Sequence, residues 1–153
     1  MTYKLKQEGF TIVELLIVIV VIGILAALVI TTFTGVQQKA RDTKRETDIK
    51  AMHGQVEAYY AQHGNYPSLT DMNDSTWRGN NMKGLDPTAL QDPKGSAQTL
   101  VATPAAKSYA YAVLNAAGTS CEADDTTCTQ YTLTATLEGQ INGSGTFVKS
   151  NLN

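Results

Sequence analysis

Glu14 is the residue with the clearest chemical potential, because it is the only charged side chain in a long apolar segment. The segment runs from Phe10 to Phe33, and Leu15 to Ile30 contains no polar side chain. A carboxylate at the centre of a membrane-spanning helix costs about 2.5 to 3.5 kcal/mol, and such charges usually mark function. Two interpretations stay open: Glu14 has a specific function, or it lies at the membrane interface and reaches water.

His53 and Glu57 form a second pair of chemically active side chains, one helical turn apart. Zinc is held by four ligands at characteristic spacings, and the chain has only two histidines, with no third ligand suitably placed. A catalytic site needs a nucleophile, a base and a residue that orients the base, and the Ser, His and Asp residues form no such motif. We therefore expect neither catalysis nor a metal here.

Cys121 and Cys128 are the only cysteines of the chain. A cysteine pair downstream of a membrane or export signal indicates one disulfide in an oxidising compartment. A metal site would need two further thiols or histidines nearby, and there are none. We expect a disulfide that closes a short loop.

The charged residues between Lys39 and Lys50 form the string KARDTKRETDIK. Basic clusters can bind nucleic acid or anionic headgroups, but three acidic residues are interleaved here, and the net charge of the chain is −2. We interpret the cluster as a solvated helix face, with headgroup contact as the alternative. No nucleic-acid partner is indicated.

The elements that carry these residues begin with the apolar segment itself. A helix of about 20 apolar residues spans a bilayer, and the segment is longer than the core of a cleaved secretory signal. A removed signal and a buried helix of a soluble protein remain as alternatives. Basic residues are more numerous on the C-terminal flank, so their count alone favours the opposite orientation, but the cysteine pair favours export of the C-terminal part.

A continuous amphipathic helix is predicted to follow the apolar segment as far as His63. The region has no proline, and its apolar residues recur mostly at three- and four-residue steps. The string HGNYP from His63 to Pro67 is a typical helix stop. The apolar positions are Val36, Ala40, Ile49, Met52, Val56, Tyr59, Tyr60 and His63.

A small antiparallel sheet is predicted near the C-terminus. Residues 108–115 and 131–138 alternate apolar and polar side chains, GQINGSG at 139–145 has turn composition, and 146–150 forms a third strand. Residues 68–107 are rich in turn formers, and we expect a surface connection with one helical turn at Asp86. The apolar face of the sheet should lie on the amphipathic helix.

The string GFTIVELLIVIVVIGILAAL resembles the prepilin N-terminus of type IV pilins and type II secretion pseudopilins. Its matching positions are Gly9, Phe10, Thr11, Glu14 and Gly23. The resemblance implies that a membrane prepilin peptidase cuts between Gly9 and Phe10 and methylates the new amine of Phe10. It further implies that Glu14 pairs with the Phe10 amine of a neighbouring subunit and so sets the register of assembly. Thr31 stands where the family often has proline, so helix flexibility is expected at Gly23.

The implied fold class is α+β and type IV pilin-like: one long N-terminal helix, transmembrane in its upper half and amphipathic in its lower half, packed on about three antiparallel strands. The expected divisions are a leader peptide at 1–9, a transmembrane and filament-core helix at 10–33, its amphipathic continuation at 34–64, a variable loop at 65–107, and the sheet with a disulfide-pinned hairpin loop at 108–153. The protein is expected in the membrane before assembly and in a cell-surface filament afterwards.

The resemblance implies a structural subunit rather than an enzyme. Its expected partners are further copies of the chain, the prepilin peptidase, a pilus assembly platform, minor pilins and the membrane. We expect a type IV pilus subunit, with a type II secretion pseudopilin as the alternative, because the cysteine loop is present and the calcium signature of major pseudopilins cannot be aligned with the acidic string around Asp124 and Asp125. No cofactor is expected, and calcium remains the alternative. A membrane-anchored binding module that never polymerises and an anchored enzyme are the rivals from other classes.

Overall fold

The structure is a computed structural model that describes residues 9–121, 125–141 and 143–152, without the side chains of residues 31, 32 and 141. The expected leader lies outside these residues except for Gly9, as does Asp124. The α-helices are α1 (Ile12–His63), α2 (Leu69–Asn73) and α3 (Ser75–Asn81), and a 3-10 helix spans Pro87–Leu90. The strands are β1 (Tyr109–Asn115), β2 (Cys128–Ile141) and β3 (Ser144–Ser150).

Helix α1 extends over both predicted helical segments as one helix of 52 residues. The chain divides into two compact units at Gln37 and Gln38. In the first unit, every described side chain from residue 9 to residue 37 is exposed, and α1 is long and apolar enough to cross a membrane by length and composition. The second unit, residues 38–153, is called the head below.

The sheet of the head has three antiparallel strands in the order β1-β2-β3. Tyr111 pairs with Leu133 across the first ladder, and Thr134 pairs with Val148 across the second. Strand β2 continues to residue 141, so that part of the predicted turn at 139–145 belongs to the strands. The α+β class with a long helix and three antiparallel strands is confirmed.

The segment between α1 and the sheet contains more helix than its turn-rich composition predicts. The predicted helical turn after Asp86 is present, and the Asp86 carboxylate accepts the Thr88 N–H at 2.8 Å. Helices α2 and α3 were not predicted. Ser68 and Asp71 form a capping box at the start of α2, and Asp74 caps α3, so these short helices depend on side chains that satisfy their free N–H groups.

The core of the head lies between the lower part of α1 and one face of the sheet. Its helix side consists of the fully buried Ile49, Met52 and Val56, as the predicted periodicity requires. Tyr109, Tyr111, Tyr131 and Leu133 supply the sheet side, and Tyr66, Met72 and Leu90 come from the connection between them. Val36, Ala40 and His63, which belong to the predicted apolar stripe, are exposed.

Candidate assembly site

The N-terminus of α1 holds Glu14 in a capping box. The Glu14 Oε2 atom accepts the Thr11 N–H at 2.8 Å and the Thr11 hydroxyl at 2.7 Å, and the Thr11 Oγ1 atom in turn accepts the Glu14 N–H at 3.3 Å. This reciprocal arrangement satisfies two helix N-terminal donors. The sequence signature T-x-x-E could have predicted it, and our sequence analysis missed it.

The capping box leaves part of the Glu14 carboxylate available. Both bonds from Thr11 end on Oε2, and Oε1 has no hydrogen-bond partner among the described residues. Phe10 is adjacent and 88% exposed. Glu14 can therefore accept an ammonium group from another molecule while it still caps its own helix.

Gly9 and Gly23 lie in open surroundings. A Cβ atom added at either residue would meet nothing within 4 Å. Helix α1 passes through Gly23 without interruption, so the expected flexibility there stays a prediction. The roles of Gly9 and Phe10 in leader cleavage and methylation also stay predictions.

A buried cluster of charged residues joins α1 to the rest of the head. Arg45 is 2% exposed. It donates through Nε to Asp92 Oδ2 at 2.6 Å, and through Nη1 to Asp42 Oδ1 at 2.7 Å and Glu138 Oε1 at 3.0 Å. We call Arg45, Asp42, Asp92 and Glu138 the Arg45 cluster. It connects one turn of α1 to β2 and to the loop before β1.

The Arg45 cluster corrects our interpretation of residues 39–50 as a solvated helix face. Asp42, Arg45 and Asp48 are buried at three-residue steps. They extend the core-facing side of α1 from Ile49 toward the N-terminus. Tyr109 donates its hydroxyl to Asp48 at 2.9 Å, and Lys44 forms an ion pair with Asp48. The solvated interpretation is wrong for these three residues, although Lys39 and Lys50 of the same string are exposed.

The charged forms of Arg45, Asp42 and Glu138 are stabilised by their neighbours. Hydrogen bonding to Asp92 raises the pKa of Arg45 above its ordinary value, and the Arg41 guanidinium holds the pKa of Glu138 well below its usual range. Burial disfavours the charged form of Asp42, yet the N–H groups of Glu138 and Gly139, at 3.0 and 2.9 Å, hold its pKa below the ordinary value. The cluster therefore fixes the end of β2 against α1.

His53 and Glu57 belong to a hydrogen-bond network. The Tyr131 hydroxyl lies 2.6 Å from His53 Nδ1 and donates to Glu57 Oε1 at 2.8 Å, while Tyr66 donates to the same carboxylate. Because the single hydroxyl proton of Tyr131 points to Glu57, His53 Nδ1 must donate to the hydroxyl oxygen. The pair thus orients a core tyrosine.

Cys121 and Cys128 form a disulfide across the loop between β1 and β2, with their Cα atoms 6.0 Å apart. The Asp125 carboxylate lies near both sulfur atoms. Because the two sulfurs are bonded to each other, they offer no thiolates to a metal. Asp125 accepts the N–H and hydroxyl of Thr127, and calcium at this loop stays a prediction.

Loss of the disulfide should destabilise the head moderately. We expect the double substitution Cys121→Ser and Cys128→Ser to lower the free energy of unfolding by about 2 to 3 kcal/mol, because the disulfide restricts a short loop of the unfolded chain. Urea denaturation of the full chain in detergent, followed by the fluorescence of Trp77, measures this. Dithiothreitol should destabilise the wild type equally and leave the double variant unchanged; equal stability of the two proteins would contradict the prediction.

Taken with its fold, the capped Glu14 of an exposed apolar helix defines the class of this protein. The long helix can anchor the chain in a membrane by its length and composition, or pack against other helices. The class is that of proteins with a pilin-like fold, which has one long apolar N-terminal helix and a three-stranded antiparallel sheet.

Comparison with known proteins agrees with this class. Residues 4–30 match the family model of the prokaryotic N-terminal methylation motif. The type II secretion system core protein G of Aeromonas hydrophila is 34% identical over 96 residues, which cover 60% of this chain and 59% of that protein. The core protein G of Escherichia coli K12 is 40% identical over 63 residues, which cover 41% of this chain and 43% of that protein.

A pilin is also among the relatives. The type IV major pilin protein PilA of Myxococcus xanthus is 30% identical over 66 residues, which cover 43% of this chain and 30% of that protein. The chain spans less than two thirds of the length of each of these relatives. No solved structure matches it.

The chain is thus similar to type II secretion core proteins G and to a type IV pilin, and its N-terminus carries the methylation motif. The named relatives are pilin-like structural proteins, which agrees with the expectation of a structural subunit rather than an enzyme. The relatives support the alternative, a type II secretion pseudopilin, better than the expected type IV pilus subunit, because type II secretion proteins predominate among those named. The prepilin motif is common to both groups and cannot separate them.

Proposed function

We propose that this protein is a pseudopilin of the core protein G type, a structural subunit that polymerises into the filament of a type II secretion system. One observation carries the proposal. The 34% identity to core protein G of Aeromonas hydrophila covers 60% of the chain, more than residues 1–63 can supply. The likeness therefore includes part of the head, beyond the shared N-terminal motif.

Processing is the first step of the proposed function. The prepilin peptidase cuts between Gly9 and Phe10 and methylates Phe10, which creates an amine close to Glu14. The chain then stays in the membrane through α1 until an assembly platform transfers it to the filament. This sequence of events is supported by the match of residues 4–30 to the methylation motif.

Assembly follows from the exposed surface of α1. Its apolar side chains between Phe10 and Val36 are about half exposed or more, and exposure of one such side chain to water would cost about 1.5 to 3 kcal/mol. Lipid covers these side chains before assembly, and helices of neighbouring copies cover them afterwards. Glu14 Oε1 accepts the Phe10 amine of a neighbour, and an unpaired charge disfavours the wrong register.

The N-terminus of the mature protein tests the processing step. We expect co-expression with a prepilin peptidase to yield a protein that begins at methylated Phe10, because Gly9 and Phe10 occupy the cleavage positions of the motif. Intact-mass analysis of the detergent-extracted protein measures this. A Gly9→Val control should retain residues 1–9; a different start in the wild type would refute the processing step.

Deletion of the gene in its host distinguishes pseudopilin from pilus subunit. Loss of extracellular enzymes from the medium, with normal surface filaments, supports the type II secretion function. Loss of surface filaments with normal secretion instead supports the type IV pilus subunit, the second candidate, which the relationship to PilA favours. Minor pilins or pseudopilins are the further partners in either case.

A further inference from the structure

Arg78 is a buried cation with no ion-pair partner in the described part of the chain. Its side chain belongs to a residue that is 7% exposed, and Nη1 donates to the Met72 carbonyl at 2.5 Å. No carboxylate of the described part of the chain lies within 4.0 Å of its guanidinium. Buried charges are normally paired, because desolvation is costly.

The contrast with Arg45 makes this arrangement unusual. Both arginines are more than nine-tenths buried, yet Arg45 contacts three carboxylates and Arg78 contacts a single carbonyl. Asp74 is the carboxylate that interacts electrostatically with Arg78. It already accepts the Thr76 and Trp77 N–H groups at the start of α3. Burial lowers the pKa of Arg78 below its ordinary value, and Asp74 opposes this only in part.

Arg78 lines a cleft of about 350 Å³ at the surface of the head. Lys83 and Ser75 add a second cation and a hydroxyl group, and Met82, Leu85 and Pro87 provide apolar walls. Lys83 is exposed and forms no ion pair with any described residue. Two cations, one of them buried, with apolar walls beside them suit an anion that carries an apolar group.

We propose that this cleft is a binding site for a carboxylate attached to an apolar body. Arg78 supplies the buried charge-assisted hydrogen bonds, Lys83 supplies a second charge at the rim, and the apolar walls contact the rest of the ligand. Two sources offer this chemistry: an acidic residue of a second copy of this chain, or a free organic acid.

Arginine side-chain NMR tests the site in the unassembled full chain. The chain contains only three arginines, and the Nε atoms of Arg41 and Arg45 already donate to carboxylates, so they serve as internal references. In detergent, sodium butyrate should shift the Nε–Hε signal of Arg78 to saturation, whereas equal concentrations of sodium chloride should not. Absence of a saturable shift, or an equal effect of chloride, would overturn the proposal and leave Arg78 as a helix-capping residue only.

Substitution of Lys83 provides the matched variant, because the Arg78 signal remains as a reporter. Lys83→Gln should weaken butyrate binding about twofold to fivefold, the effect of one exposed charge. Lys39→Gln, which removes an exposed lysine of α1, should leave it unchanged. Equal affinities for both variants and the wild type would contradict the assignment of the site to this cleft.

Assembled filaments distinguish the two sources. If a second copy provides the carboxylate, the Arg78 signal of sheared filaments lies at the butyrate-bound position with no butyrate added. If a free organic acid is the ligand, the signal lies at the unbound position and still responds to butyrate. The filament experiment rests on the proposed function, because it requires assembly. The butyrate titration in detergent does not, so it still tests the cleft if no filaments form.

Discussion

We expect Arg45→Met to lower the free energy of unfolding of the head by about 3 to 5 kcal/mol, the cost of breaking a buried ion pair. Methionine fills a similar volume but leaves the carboxylates of Asp42, Asp92 and Glu138 without their shared cation. The side chains of Asp42 and Asp92 are only 7% and 1% exposed, so that water cannot replace the lost hydrogen bonds. Chemical denaturation of the full chain in detergent, followed by the fluorescence of Trp77, measures the loss.

Arg41→Met is the matched control for this experiment. Arg41 donates to the same Glu138 carboxylate, but its side chain is 25% exposed. We expect a loss of about 1 kcal/mol or less, as for other solvent-accessible ion pairs. If both substitutions cost the same, the buried position of Arg45 has no energetic consequence and the prediction fails.

The stability difference between the Arg45→Met variant and the wild type should depend on pH if its origin is electrostatic. In the wild type, the depressed pKa values of Asp42 and Glu138 contribute stability at neutral pH, which is lost as the pH falls toward their folded-state pKa values. Without Arg45 these carboxylates can bind protons in the folded state at higher pH. The difference between the Arg45 variant and the wild type should therefore shrink as the pH falls; a difference that stays constant would indicate a packing defect instead.

The Arg45 cluster shows which core residues could not be predicted from the sequence. Apolar periodicity correctly placed Ile49, Met52 and Val56 in the core, because a helix repeats every 3.6 residues regardless of its partners. The buried charges of α1 have the same spacing but look like surface residues. Their partners Asp92 and Glu138 are 47 and 93 residues from Arg45, and only the folded chain brings them together.

Local signals explain the other differences between prediction and structure. Residues 68–74 contain the capping residues Ser68, Asp71 and Asp74, and the signature S-x-x-D was available to predict α2. Gly139 was assigned to a turn from its residue type. In the structure its N–H binds the buried Asp42 carboxylate, and Gln38 lies close to its Cα, so this glycine suits a close approach of α1 to β2.

The N-terminal assembly site could be predicted from the sequence, whereas the cleft at Arg78 could not. The spacing of Gly9, Phe10 and Glu14 led directly to the resemblance to pilins and pseudopilins, because the motif is specific and local. The same motif could not separate pilins from pseudopilins, since both share it. Arg78 has no sequence signal at all: a single arginine in a polar segment is identified as an unpaired buried cation only when the structure fixes its burial.

Glu14→Gln should abolish filament formation while the protein is still processed and folded. The substitution has a clean interpretation, because glutamine can replace glutamate in a capping box and accept the Thr11 N–H. It cannot supply the negative charge for the Phe10 amine of a neighbouring copy. An ammonium group would then be buried among apolar helices without a counter-charge, which disfavours assembly by several kcal/mol.

Three measurements test the effect of Glu14→Gln on filament formation, all in cells that express the prepilin peptidase and the assembly platform. Filaments isolated from these cells, quantified by immunoblot, should fall by about a hundredfold or more, the factor that about 3 kcal/mol gives. The intact mass and the unfolding curve of the membrane-extracted subunit should otherwise match the wild type. Glu46→Gln is the control, because Glu46 forms an exposed ion pair with Lys50 on the same helix and should leave assembly unchanged. Wild-type filament levels in the Glu14 variant would show that charge pairing is dispensable, and that the role of Glu14 is confined to the capping box within its own chain.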